Sequence, residues 1–237
     1  METIIVTHIT YGLVVLKRTF DIFCSLCGII ITSPVLLAIS ILIKWEDGGA
    51  IFYRGIRVGR HGSPYRIFKF RSMVLNAEKR GGFSSTSDND PRITKIGSKI
   101  RKYKLDEIPQ LFNVLAGEMS IVGPRPQVQW AVDLYTPSET MLLNVRPGIT
   151  DYASIRFRNE AEILLGSADP DQAYLEKIAP EKIRLGMTYV QHRSFWIDLK
   201  IILATFAAIA NADPDRILGR CIATPGGDTQ RRESGPL

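Results

Sequence analysis

Asp106 and Glu107 stand side by side just after Lys99, Arg101, Lys102 and Lys104. Adjacent carboxylates behind four cations admit two readings. In one they form an acidic helix cap, stabilised by the positive end of the helix dipole and answering the nearby bases. In the other they serve phosphoryl transfer: cations neutralise phosphates, a divalent ion bridges carboxylate and diphosphate, and an aspartate is the nucleophile. Other reactive side chains offer less. Cys24 and Cys27 have a redox spacing but sit in an apolar helix, where they read as two small hydrophobes. His8, His61 and His192 are far from one another and from cysteine in sequence, so no zinc site is expected.

The carboxylates need a scaffold that turns them toward a substrate. Leu105, Ile108, Leu111, Phe112 and Leu115 recur at helical spacing until Gly117. Pro109 fits that helix only in its first turn, which puts Asp106 and Glu107 at or just before its N-terminus. Ile96, Ile100 and Tyr103 share one face of a preceding basic helix. Residues 50–58 and 65–70 are rich in aromatic and branched side chains, and the turn at 59–64 joins them as a short β-hairpin. Ser72 is read as the cap of a further helix through Lys79. Residues 81–91 lack any apolar period and predict a mobile loop of the lid type. Gly123-Pro124-Arg125-Pro126 and Arg146-Pro147-Gly148 predict rigid loops, with Arg125 held between two prolines. Helices at 180–191 and 195–210 close the chain, the second packing on the core or resting on the membrane.

Residues 22–43 carry no charge, twenty-two in a row, and both flanks are cationic. As a helix this stretch reaches about 33 Å, enough for a bilayer core. Lys17 and Arg18 precede it and Lys44, Arg54, Arg57 and Arg60 follow, so a single crossing puts one basic flank on the wrong side. A re-entrant hairpin broken at Ser33-Pro34 removes the conflict, with the hydroxyls of Thr32 and Ser33 serving freed backbone groups. A kinked crossing helix is the competing reading. Asp21 is expected at the interface, paired with Arg18.

Charge is concentrated. Residues 51–104 hold fourteen Lys and Arg against three acids, so this window carries +11 and the rest of the chain −5. Directly after a membrane segment, such a block suits anionic headgroups or a phosphate-bearing substrate. No nucleic-acid partner is expected, since no helix-turn-helix, zinc-finger or RNP-type pattern is present. The fold class is α+β and predominantly helical. A re-entrant helix-break-helix (1–46) leads into a cytosolic domain with a small β-hairpin and interfacial amphipathic helices (47–212), followed by a flexible tail (213–237).

Two longer runs are more specific. Leu105-Asp106-Glu107-Ile108-Pro109-Gln110-Leu111-Phe112-Asn113-Val114-Leu115 and Gly117-Glu118-Met119-Ser120-Ile121-Val122-Gly123-Pro124-Arg125-Pro126 resemble the core of the bacterial sugar transferases, the monotopic phosphoglycosyl transferases. Phe52-Tyr53-Arg54, Lys69-Phe70-Arg71-Ser72-Met73, Arg146-Pro147-Gly148-Ile149-Thr150 and Ser33-Pro34 add to the resemblance, which runs from about residue 17 to 210. It implies transfer of a sugar phosphate from a UDP-sugar to polyprenyl phosphate, with release of UMP, at the cytoplasmic face of the bacterial inner membrane. It further implies Asp106 as nucleophile through a covalent phosphosugar intermediate, and Mg²⁺ on Glu107 with Asp106 adjoining. Lys69, Arg71 and Arg125 would balance the diphosphate, Arg101 would meet the lipid phosphate, and Arg158 would lie near the nucleotide. The resemblance leaves room for a homodimer. One departure stands out: many members carry an Asp where this chain has Gly186, and the run Thr150-Asp151-Tyr152-Ala153-Ser154 marks a subgroup with its own sugar recognition.

Overall fold

The computed structural model describes residues 2–77, 90–167 and 169–219, with side chains from residue 14 onward except 161 and 162. One long helix, α1 (Glu2–Asp47), leads the chain. Its stretch from Val14 to Asp47 is long and apolar enough to cross a membrane, and little of it is buried by the protein. Phe23, Ile30, Ile31, Leu37 and Trp45 are all exposed.

The expected break at Ser33-Pro34 is absent: α1 runs through Pro34 as a helix. A proline removes the amide that would bond to the carbonyl four residues back, here that of Ile30. Ser33 Oγ donates to that same carbonyl at 2.8 Å, and Thr32 Oγ1 donates to Gly28 O at 2.7 Å. The hydroxyls expected to serve a broken backbone instead keep it helical.

Behind α1 two antiparallel pairs form the expected hairpin. β1 (Phe52–Tyr53) pairs with β4 (Lys69–Phe70), and β2 (Ile56–Val58) with β3 (Pro64–Arg66), around a 3-10 turn at Arg60–Gly62. No α-helix forms over residues 72–77, against expectation. Met73 instead bridges Ile93, and Val74 N donates to Arg92 O at 2.8 Å, so extended pairing captures this segment. The expected lid falls almost wholly outside the described residues.

The basic helix α2 (Lys95–Lys102) is capped by Thr94, whose hydroxyl accepts from Gly97 N. A 3-10 turn (Leu105–Glu107) and α3 (Gln110–Ala116) follow, with Pro109 as N-cap and Gly117 closing at φ 86°, a left-handed cap that suits glycine.

β5 (Ser120–Val122) and β6 (Gly148–Thr150) pair in parallel. Both segments border stretches read as irregular loops, because three-residue strands carry no alternation. A Cβ on Gly148 would collide with the Gly123 backbone, so glycine alone allows this approach. Between the two strands lie α4 (Gln129–Val132) and a 3-10 turn at Glu139–Asn144.

Short helices α5 (Tyr152–Arg156), α6 (Glu160–Ile163) and α7 (Pro170–Lys177) precede the two closing helices, α8 (Ala179–His192) and α9 (Phe195–Ile209). The main core joins Val122 of β5, Tyr152 of α5, Leu185 and Tyr189 of α8, and Ile201 and Ala204 of α9. α10 (Asp215–Leu218) follows, with Leu218 buried against this core.

α1 is fastened to this body on both sides of its uncharged stretch. Arg18 donates to Val114 O at 2.6 Å and Leu115 O at 3.0 Å, capping α3. Asp21 is buried and accepts from Ser120 Oγ and Ile121 N, with Lys17 at 3.6 Å, so its cationic neighbour is Lys17 rather than Arg18. Further along the helix, Ile39 and Ile43 pack on Phe70 and Ile100, and Glu46 accepts from Ile96 N.

Candidate active site

Lys104 adopts a left-handed conformation, φ 56°, that ends the basic helix and turns the chain into the 3-10 turn. That turn buries Asp106, 7% exposed, and sets Glu107 beside it.

Glu107 is gripped from two elements. Lys69 Nζ of β4 donates to its Oε1 at 2.7 Å, and Arg125 Nη2 donates to the same oxygen at 2.6 Å, with Nη1 3.3 Å from Oε2. Burial alone would favour the neutral acid, but Arg125 and Lys69 outweigh it and hold Glu107 well below the usual carboxylate range.

Asp106 has neither hydrogen bond nor ion pair among the described residues. Burial raises its carboxyl above the ordinary value, Lys69 opposes that rise, and the Glu107 charge adds to it. Arg101 and Lys104 also lower it and therefore lie within electrostatic reach. The dyad is asymmetric, with one carboxylate locked in its charged form and its neighbour unpaired.

Two buried groups hold the cations in register. Asn113 Oδ1 accepts from Phe68 N at 2.7 Å and its amide donates to Arg66 O at 2.9 Å, which fixes β4 so that Lys69 meets Glu107. Asp151, 2% exposed, caps α5 through Ser154 N at 2.6 Å and accepts from Arg125 N at 3.2 Å. Sequence reasoning missed both roles. Asn113 lay inside a helical run, and Asp151 was legible only as a variant position.

Lys69, Arg101, Arg125, Asp106 and Glu107 therefore come together. Arg71 and Arg158 are engaged elsewhere. The Arg71 guanidinium forks onto Asp47 at the end of α1 and donates through Nε to Ala50 O at 2.5 Å. Arg158 donates to Ala208 O and, at 3.0 Å, to Asn211 Oδ1, closing the C-terminus of α9. Among the described residues no three of His, Cys, Asp and Glu gather as a metal site.

A helical body carries one helix long and apolar enough to cross a membrane, with adjacent carboxylates set among four cations. The chain belongs to the bacterial sugar transferase family, whose model matches residues 13–212. It is 34% identical to the exopolysaccharide production protein ExoY of Rhizobium meliloti (strain 1021), over 81% of this chain and 84% of that protein. It is 36% identical to the UDP-N-acetylgalactosamine-undecaprenyl-phosphate N-acetylgalactosaminephosphotransferase of Aeromonas hydrophila, over 82% of this chain and 43% of the relative. A UDP-glucose:undecaprenyl-phosphate glucose-1-phosphate transferase of Klebsiella pneumoniae is 37% identical over 81% of this chain and 39% of its own length. The chain thus spans less than half of these last two relatives.

Proposed function

We propose that this protein transfers a sugar 1-phosphate from a UDP-sugar to polyprenyl phosphate and releases UMP, an initiating membrane step of surface glycan assembly. The observation that carries the reading is Asp106, a carboxylate without a partner among the described residues, beside Lys69, Arg101, Lys104 and Arg125. In the proposed first step an Asp106 oxygen attacks the sugar-linked phosphorus. An acyl phosphate bond forms, the phosphoanhydride bond breaks, and UMP leaves with the bridging oxygen and its electron pair. In the second step a polyprenyl phosphate oxygen attacks the same phosphorus and frees the aspartate. Lys69 and Arg125 are poised to meet charge on the equatorial oxygens, and Arg101 is the candidate for the incoming lipid phosphate.

Mg²⁺ demands few protein ligands, one or two carboxylates beside substrate phosphates. Asp106 has unpaired oxygens and fits. Glu107 fits only by exchanging Lys69 or Arg125 for the ion, since its oxygens already serve those cations. The ion would neutralise diphosphate charge alongside them.

Both ends of the apolar helix are docked on one body, which supports seating on a single face of the membrane, the cytoplasmic face where nucleotide sugars are found. Labelling tags at residues 1 and 237 from the same side of inverted vesicles tests this, and opposite-side labelling overturns it.

The direct test of the chemistry is UMP release from a UDP-sugar with Mg²⁺ and polyprenyl phosphate. Asp106→Asn is expected to abolish release, and with it the phosphosugar adduct seen by intact mass, at an unchanged Tm. Turnover surviving in that variant would remove Asp106 as nucleophile.

A further inference from the structure

Arg125 has two neighbourhoods. One side of its guanidinium holds Glu107; the residue also walls a cleft of about 580 Å³, its open mouth included, between α4, α7 and α8. Polar groups converge in it. Asp151 and Lys182 line the wall, and both are buried. Lys182 Nζ donates to Glu160 Oε2 at 2.6 Å and lies 5.0 Å from the centroid of the Tyr174 ring and 5.9 Å from that of Phe157.

An ammonium has three donors, and Lys182 spends one on Glu160 among the described residues. Burying it costs free energy that packing alone does not return. Each oxygen of Asp151 accepts one backbone N–H, which leaves lone pairs on both. Gly186 forms the wall facing Leu142, and a Cβ there would come within 2.9 Å of Leu142 Cδ2.

We propose that this cleft receives the sugar ring of the donor, with Lys182 and Asp151 as hydrogen-bonding specificity residues and Gly186 setting the room beside them. This assignment rests on the transferase reading above. Charge distribution separates it from the phosphate subsite: Lys69, Arg101, Lys104 and Arg125 outnumber the two carboxylates at Asp106 and Glu107, whereas in the cleft Lys182 is matched by Glu160 and Asp151 balances the remaining field. A near-neutral wall with spare donors and acceptors beside aromatic faces suits a neutral polyol. Arg125, shared by both sites, sets the two within one substrate length.

The test measures UMP release by the full-length protein across UDP-glucose, UDP-galactose and their N-acetylated counterparts, together with UDP as competitive inhibitor. Lys182→Met and Glu160→Gln are expected to lower kcat/KM about tenfold or more on the preferred donor, less on others, with the UDP inhibition constant unchanged. Gly186→Ala is expected to reorder the donors. Equal losses on every donor with weakened UDP inhibition would assign the cleft to the nucleoside and overturn the proposal, as would unaltered kinetics in all three variants. If Lys182→Met fails to fold, Glu160→Gln and Gly186→Ala decide. If the wild type releases no UMP from any donor, the transferase reading fails. The cleft is then judged by thermal shift, a larger stabilisation by UDP-sugar than by UDP supporting it and equal shifts refuting it.

Discussion

Glu107 keeps its charge because two cations are fastened to it, and Asp106, one residue earlier, has no such partner. The proposed nucleophile must be ionised, and burial raises the Asp106 carboxyl while Lys69 opposes the rise. The rate is therefore expected to fall as pH drops through the raised value, with the acid limb of kcat above that of an ordinary aspartate. Lys69→Met removes the opposing charge and is expected to move the limb to still higher pH, read from a pH profile of UMP release. Arg71 obeys different physics. Its fork clamps Asp47 and the backbone at Ala50, so Arg71→Ala is expected to cost about 1.5–3 kcal/mol of stability and leave the donor KM unchanged. A raised KM at constant Tm would instead place Arg71 on the diphosphate. Arg71 and Arg125 carry the same expectation from sequence, and only their partners in the fold, Asp47 and Glu107, separate them.

At the scale of elements, α1 shows how a proline is absorbed. Ser33 Oγ donates to the Ile30 carbonyl that Pro34 leaves without its amide. Ser33→Ala is expected to cost about 1 kcal/mol, and adding Pro34→Ala should recover much of it, because the amide returns. Thermal unfolding in detergent of the two variants and wild type reads this cycle. Additive losses would show that the hydroxyl does not stand in for the amide. Much at this scale was legible beforehand: the hairpin, the basic helix, the helix behind Pro109 and the two closing helices follow from periodicity and turn chemistry. β5 and β6 were not, since three residues per strand carry no pattern and their pairing depends on Gly123 and Gly148 meeting across the chain. The segment after Ser72 was misread for a related reason, its local helix signal losing to a bridge with Ile93.

The whole molecule is organised around the seating of α1. Lys17 contacts Asp198 of α9 at 2.7 Å, Tyr189 donates to the same carboxylate at 2.8 Å, and Phe20 meets Phe195 edge to face. Asp198→Ala leaves the Lys17 ammonium and the Tyr189 hydroxyl without that acceptor. It is expected to lower stability by about 1–3 kcal/mol, with activity falling in step with Tm. Activity lost at constant Tm would show that the latch acts on the site and not only on the fold.

By itself the sequence determined the apolar length of α1, the cationic block behind it, the Asp106-Glu107 dyad at a helix start and the family these runs resemble. Those features are contiguous along the chain, and local pattern encodes them. Which carboxylate is paired was decided only in three dimensions, because Lys69 and Arg125 reach Glu107 from 38 and 18 positions away. The same holds for the docking of both flanks of the uncharged stretch of α1 on one body and for the cleft behind Arg125. Each depends on side chains distant in sequence being brought within a few ångströms, where burial and charge set their protonation and their partners.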